Sequence, residues 1–233
     1  MRKCGEILAA ILDRLRMEVK PGIKTSRLDV IMAEESERRG VIPSFKNYRG
    51  FPANLCVSVN DEIVHGIPGE RILQEGDIVS LDVGVKFNGF HTDAATTIAV
   101  GRISKEAEEL ISVAEGSLKS GIAQAINGAW VRDISTAIQH YVESKGFSVV
   151  REYTGHGVGR ELHEEPQIPN FAVGKGLLLR KGMTLAIEPM VNVGDWRTKL
   201  AANKWTVLTA DGSLSAHFEH TIAITDNEPE ILV

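Results

Sequence analysis

Two aspartates, Asp82 and Asp93, stand on either side of an Asn88-Gly89 dipeptide that separates two strand-like runs. Asn-Gly between such runs is the strongest short-range signal for a two-residue hairpin turn. With those residues as the turn, Asp93 faces Gly84, and Asp82 shares the Gly84 face because strand side chains alternate. The carboxylates are then diagonal neighbours, about 7–8 Å apart at the backbone. Apolar residues flank both, Ile78-Val79-Ser80-Leu81 before the first and Ala94-Ala95 after the second. Two ionised carboxylates in such surroundings need a cation or a shared proton. The alternative is a pair of exposed strand residues; the apolar flanks favour a metal.

Three further residues extend the set. Glu188 ends a second apolar run and precedes Pro189, Glu219 lies in a later strand-like segment, and His156 sits in the glycine-rich stretch Thr154-Gly155-His156-Gly157-Val158-Gly159. Glycines let the backbone approach a ligand closely. Four carboxylates with one imidazole and no thiolate suit Mn, Fe, Co or Zn. A binuclear centre of that kind performs hydrolysis, with phosphoester and peptide bonds both open as substrates. His65, before Gly66-Ile67-Pro68, and His163, before Glu164-Glu165-Pro166, are candidates to donate a hydrogen bond to a carbonyl or tetrahedral intermediate.

The elements that must position these groups occur twice. Gly76 to Asp82 aligns with Gly182 to Glu188 at a shift of 106 residues, which also places Leu28 on Ile134, Met32 on Ile138, Glu37 on Glu143 and Gly40 on Gly146. Hydrophobic phase and turn residues agree at this shift without a gap from about residue 4 to residue 82. Each half reads as two helices followed by strands. The first helices span Gly5–Val19 and Lys105–Ile126; the second begin near Ser26 and Asp133, whose side chains can cap free N–H groups, and end at Gly40 and Gly146. Strands are expected at Leu55–Val59, Ile78–Val85 and Phe90–Val100, then Met183–Ile187, Trp205–Thr209 and His217–Ile224. The class is α+β, with helices set apart from antiparallel strands. One catalytic domain, 1–233, is expected, with pseudo-repeats of about 1–100 and 101–233 and matching ligands from both at their junction. Glu219 falls about where the counterpart of Asp93 is due after a short insertion.

Composition narrows the partners. The chain has 233 residues, of which 43% are hydrophobic, enough to form a core without disulfides or a structural metal. A net charge of -5 argues against nucleic acid as main partner, and Arg38-Arg39 beside Glu37 reads as solvated surface. The cysteines, Cys4 and Cys56, suit a reducing compartment. No apolar run approaches the ~20 residues of a membrane span, and the N-terminus lacks a signal-peptide core, so a cytoplasmic protein is expected.

The segments Val64 to Pro68, Asp82 to Asp93, Gly155 to Gly159, His163 to Pro166, Ile187-Glu188-Pro189 and Phe218 to Thr221 together resemble the type I methionine aminopeptidases over nearly the whole chain. The resemblance implies the pita-bread fold and two-metal-assisted removal of the initiator methionine from nascent proteins, with a preference for a small second residue. It implies two divalent ions, Asp82 on one, His156 and Glu188 on the other, and Asp93 and Glu219 shared. His65 and His163 would contact substrate, His163 polarising the carbonyl, and Glu219 would shuttle the proton. The methionine pocket would comprise Phe45, Tyr48, Phe51, Cys56, Leu162 and Trp205, aromatic walls plus a sulfur matched to a thioether. Leu162 and His217 stand where relatives often carry Phe and Gln. A minimal bacterial-type enzyme follows, a monomer meeting nascent chains at the ribosome, with no membrane or nucleic-acid specificity. The rivals are a proline-directed peptidase of the same fold, which usually carries a separate N-terminal domain, and a non-catalytic binder that kept the fold.

Overall fold

Helix α1 (Arg2–Glu18) exists because Ile7, Leu8, Ile11 and Leu15 recur on one face, and all four are buried. Helix α2 (Thr25–Arg39) ends where Gly40 adopts the left-handed conformation that only glycine takes without cost. Strands β1 (Ile42–Pro43), β2 (Cys56–Val59), β3 (Glu62–Val64), β4 (Ile78–Phe87) and β5 (Phe90–Ala99) complete the first half. The second half repeats the plan with α3 (Lys105–Ile122), α4 (Val131–Glu143), β6 (Ser148–Val149), β7 (Thr154–Gly157), β8 (Glu164–Pro169), β9 (Thr184–Ile187) and β10 (Met190–Asn192). It then adds β11 (Thr198–Leu200), β12 (Val207–Thr209) and β13 (Ser215–His217) before β14 (Glu219–Ala223) and β15 (Glu230–Ile231). This computed structural model describes residues 1–233.

The main sheet runs β1-β4-β5-β14-β9-β7-β8, with β2 also on β4 and β15 also on β14, and its pairs are antiparallel. Helices cover one face. In β4 the odd-numbered Val79, Leu81, Val83 and Val85 join the α1 and α2 side chains in one core, while α3 and α4 build a second core with Leu185, Ile187 and Ile222. The even-numbered face of β4, which carries Ser80, Asp82 and Gly84, therefore looks away from the helices. No helix is long and apolar enough to cross a membrane.

The duplication extends to single hydrogen bonds. Lys24 bridges Ile72 as Trp130 bridges Leu178, and Leu73 donates to the Ile23 carbonyl as Leu179 donates to that of Ala129, each pair separated by the same 106 residues. Ile42 faces Lys86 as Ser148 faces Asn192. The expectation of an ungapped match is corrected between these anchors. Ser58 of β2 faces Ser80, and His156 of β7 faces Ala186, the counterpart of Ser80, so β2 corresponds to β7 at a shift of 98. Residues 44–55 of the first half have only residues 150–153 as equivalent, an eight-residue excess.

The counterpart of Asp93 is also corrected. Asp82 faces Ala95; His220 faces Ile187, and one step further along that register Glu219 faces Glu188. Glu219 therefore corresponds to Ala95, and the two pair across β5 and β14 as a pseudo-twofold axis requires. Asp93 corresponds instead to His217, which faces Met190 as Asp93 faces Gly84, and across the β5–β14 seam Asp93 meets Thr221. There the strands have diverged after two register pairs, and the Thr221 hydroxyl fills the gap, accepting from the Asp93 N–H at 2.9 Å and donating to the Asp93 carbonyl at 2.7 Å.

Most expected elements lie within two residues of those found. Helix α1 starts at Arg2, α3 stops at Ile122, and α4 stops at Glu143, whose carbonyl accepts from Gly146 N–H in a closing turn. Ser26 caps nothing. Lys24 precedes α2 without a side-chain cap, and Thr25 Oγ1 is engaged with Gly69 instead. Asp133 does act at the start of α4, accepting from Trp130 N–H at 2.8 Å. The expected strand Trp205–Thr209 shortens to Val207–Thr209. The run His217–Ile224 splits at Phe218, because Ser215–His217 pairs with β10 in a separate sheet while Glu219 pairs with β5 and His220 onward with β9.

Thr221→Val should cost about 1–3 kcal/mol, since it leaves both Asp93 main-chain groups without their buried partner. Thr221→Ser, which keeps the hydroxyl, should lie near wild type. Urea unfolding of both variants checks this; equal stability of the two would contradict the role given to the hydroxyl.

Candidate metal centre

The hairpin β4–β5 has the register its Asn88-Gly89 turn imposes: Gly84 faces Asp93 and Asp82 faces Ala95. Both carboxylates reach the sheet face turned away from the helices. Gly84 keeps this face open, because a β-carbon there would come within 2.9 Å of the Phe45 ring. His156 lies on β7, a strand not among those expected. Gly157 lets β8 close against it, as a β-carbon would sit 2.3 Å from the Glu165 carbonyl oxygen. Glu188 follows the end of β9, and Glu219 opens β14.

Asp93, His156 and Glu219 are buried and present ligand atoms within 4.8 Å of one another. Asp82 and Glu188 are half-buried at the edge of the same group, and Glu188 Oε1 lies 3.4 Å from His156 Nε2. The carbonyl of Gly157 lies 2.9 Å from His156 Nδ1. A carbonyl only accepts, so Nδ1 carries the proton and the Nε2 lone pair points toward the acid cluster, where a cation would take it. Asp82 Oδ1, Asp93 Oδ1 and Glu219 Oε1 are buried without any hydrogen-bond partner. A divalent cation is the group such a set of orphaned oxygens plus one imidazole fits.

The electrostatics agree. Burial first, then the neighbouring carboxylates, pushes Asp93, Glu188 and Glu219 well above the ordinary carboxylate range, and burial raises Asp82 to about 7. Burial lowers His156 below the usual imidazole value, which keeps it a neutral ligand. Burial and the adjacent His156 and Arg49 push His163 down to about 3. The Cys56 thiol is pushed well up by burial and by Asp82 and Asp93, so the sulfur stays protonated and apolar.

One cavity of about 190 Å³ collects all of these side chains. The acids and His156 form one wall. Phe45, Tyr48, Phe51, Cys56, Leu162 and Trp205 form another, with Phe51 and Trp205 edge to face at 5.3 Å. His65 and His163 stand between the walls. His163 packs 4.2 Å from the His156 ring, and its Nδ1 lies 2.9 Å from the Tyr48 hydroxyl. His65 has φ 58, a left-handed conformation that a non-glycine residue adopts at a cost, and its ring meets the edge of Tyr153 at 5.8 Å. Every residue singled out in the sequence thus lines this cavity, but four contributors were missed. Arg49 lies at its rim, and Ala53 and Ile67 pack behind the apolar wall. His217, noted only as a departure from relatives, is fully buried with Nε2 3.6 Å from Glu188 Oε2. A second match at the 98-residue shift, Val64-His65 and Pro68 on Leu162-His163 and Pro166, is a sequence signal that ties the two histidines together.

An internally duplicated antiparallel sheet with an acid–histidine cluster at its junction is the framework of a metal-dependent hydrolase. Residues 1–226 match Metallopeptidase family M24, and the chain belongs to that family. It is 54% identical over its full length to the methionine aminopeptidase of Clostridium perfringens, covering 94% of that protein, and 53% identical to methionine aminopeptidase 1 of Bacillus subtilis at the same coverage. The crystal structure of methionine aminopeptidase from Thermotoga maritima superposes with a TM-score of 0.98 at 48% identity, covering 100% of this chain and 94% of that one. The Xaa-Pro dipeptidase of Bacillus anthracis has a TM-score of 0.79 at 21% identity, covering 99% of this chain and 58% of that one, and shares the fold. The fold is the pita-bread fold.

Stability should respond to pH in a direction these shifts fix. The four carboxyl groups hold protons more tightly folded than unfolded, so with cations chelated their contribution is present below about pH 4 and is lost as pH rises, that of Asp82 through about 7. A cation must displace those protons. The rise in Tm on adding Mn²⁺ to chelator-treated protein should therefore be larger at about pH 7.5 than at about pH 5.5. Scanning calorimetry checks this, and equal increments at the two pH values would contradict it.

Proposed function

We propose that this chain removes the N-terminal methionine from proteins and peptides, using two divalent ions held by Asp82, Asp93, His156, Glu188 and Glu219. The observation that carries the reading is the joining of two unlike walls in one cavity, an acid cluster and a slot of aromatic rings with a protonated sulfur. The slot matches an unbranched thioether in shape and polarisability. In the assignment we adopt, Asp82 would hold one ion, His156 and Glu188 would hold the other, and Asp93 with Glu219 would be available to either. Mn, Fe, Co and Zn all suit such a donor set.

Bound divalent ions supply Lewis acidity at the scissile carbonyl and lower the pKa of water. The protein's own groups do the rest. Phe45, Phe51, Cys56, Leu162 and Trp205 take the methionine side chain and exclude water from it. The buried acids close the inner end, so a residue ahead of the methionine would meet Asp93 and Glu219, and the reaction is confined to the first peptide bond. His163 is neutral, and when its Nδ1 accepts from the Tyr48 hydroxyl, its Nε2–H is the donor left for the substrate carbonyl. His65 is placed to steady the scissile nitrogen. In this reading Glu219 accepts a proton from the attacking water and returns it to the leaving amine. The substrates are N-terminal methionines of nascent chains with a small second residue, and we place the reaction in the cytoplasm and the working unit as a monomer of one catalytic domain.

With chelator-treated protein refilled separately with Mn, Fe, Co or Zn, Met-Ala-Ser should be cleaved and Xaa-Pro peptides left intact. Preferential cleavage of Xaa-Pro peptides would move the chain to the proline-directed branch, and a folded protein that neither binds nor responds to divalent ions would make it a binder. Glu219→Gln should fold and lose about 10²–10⁴-fold in kcat. Wild-type turnover in that variant would contradict the shuttle assignment.

A further inference from the structure

The cavity's only cationic lining residue is Arg49, which is exposed to solvent where Asp93, His156 and Glu219 are buried. Its side chain is exposed and enters no ion pair. The guanidinium lies 5.4 Å over the Tyr48 ring, and the Tyr48 hydroxyl in turn touches His163, the residue placed at the scissile carbonyl. The backbone holds it there at a cost. Arg49 has φ 50 and ψ 20, between Asn47 at φ 66 and Gly50 at φ 92. A non-glycine residue in the left-handed region is strained, and here the surrounding turn fixes it, with Asn47 N–H donating to the Phe51 carbonyl and Phe51 N–H to that of Tyr48. Two of the residues this turn carries, Tyr48 and Phe51, are walls of the apolar slot, so the position of Arg49 relative to the substrate is set by the same rigid loop.

A peptide whose methionine fills the slot and whose first peptide bond lies at His163 must leave by the open end, past Tyr48 and Arg49. We infer that Arg49 is a specificity-determining residue that receives a carboxylate on the substrate one to three residues beyond the scissile bond, either an acidic side chain or the free C-terminus of a short peptide. This rests on the aminopeptidase reading above and adds the class of downstream sequence the enzyme favours. Guanidinium paired with carboxylate is the natural complement, since the fork of N–H donors meets two oxygens at once and the stack on Tyr48 leaves its outer edge free. A lysine side chain in the same place would face an unneutralised positive charge.

The experiment compares kcat/KM for Met-Ala-Xaa-Gly and Met-Ala-Gly-Xaa amides with Xaa as Asp, Ser or Lys, and for free-acid and amidated Met-Ala-Ser, in wild type, Arg49→Gly and Arg49→Glu. Glycine suits the left-handed backbone, so Arg49→Gly relieves strain while removing the charge. Wild type should favour Asp over Lys by about fivefold, the scale of an exposed ion pair, mainly through KM, and high salt should erode the preference. Arg49→Gly should bring the ratio to about one, and Arg49→Glu should invert it. The amidated Ser peptides separate the two readings. If wild type fails to cleave them, the aminopeptidase reading falls; if it cleaves them but treats Asp and Lys peptides alike, only the Arg49 assignment falls. An Asp preference that persists in Arg49→Gly also overturns it. Should either variant not fold, the salt dependence of the wild-type ratio decides, and a salt-independent preference counts against the inference. Free-acid against amide peptides tells the terminal carboxylate from the side chain.

Discussion

Carboxylates buried without partners are the constraint around which the rest of this structure is arranged. Asp82, Asp93 and Glu219 each keep an oxygen shielded from water and unbonded to any protein donor. No cationic side chain is placed on them, although the chain has 26 lysines and arginines. Burial and mutual repulsion disfavour their charged forms, and only a cation or retained protons relieve that. The rest of the protein tolerates this because its apolar cores lie elsewhere. One sits under α1 and α2, the other under α3 and α4, and the acids occupy the opposite face of the sheet at the seam between halves. Stability is generated on one side of the sheet and expended on the other.

How much of this could be read from the sequence depended on how local the determining interaction is. The placement of Asp82 and Asp93 was legible to the residue, because a two-residue turn fixes the register of its own hairpin. The β4–β9 equivalence was legible because both strands carry the same apolar run at one shift. The strand that carries His156 was not expected, since nothing nearby marks β7 as a strand. Its pairing with β8 and β9 is made by distant segments, and its glycines are required by close approach to the neighbouring backbone. The relation of Glu219 to Asp93 was misread by two residues because it is defined by pairing across β5 and β14, which an alignment of one half against the other does not contain. Arg49 and His217 gave no local signal. An arginine in a turn and a histidine in a strand are ordinary until the fold brings one to the cavity mouth and the other behind Glu188.

The duplication and its breaks divide the work of the site. Asp82 and Glu188 are equivalent at the 106-residue shift, and His65 and His163 at the 98-residue shift. These residues lie on the shared frame, close to the axis, where symmetry brings like groups together without further design. Of the groups that give the slot its shape, only Cys56 and Leu162 do. Phe45, Tyr48, Arg49 and Phe51 all fall within residues 44–55, where the first half is eight residues longer than the second. Trp205 comes from the excursion through β11 and β12, which replaces the two-residue turn of the first half.

A physical reason follows for that division. A twofold frame offers matched donors around its axis, which suits a pair of like ions, but a peptide has a direction and a side chain on one side only. Recognising it requires that the two ends of the cavity differ. The insertion at residues 44–55 supplies that difference in one piece: it lays aromatic rings over Gly84, where any side chain would block them, and sets a single positive charge at the mouth while the negative charges stay at the base. The broken symmetry gives the cavity a polarity along which a chain can enter in only one sense, amino end first, and the chemistry supplied by the symmetric part then acts on the bond that this sense presents.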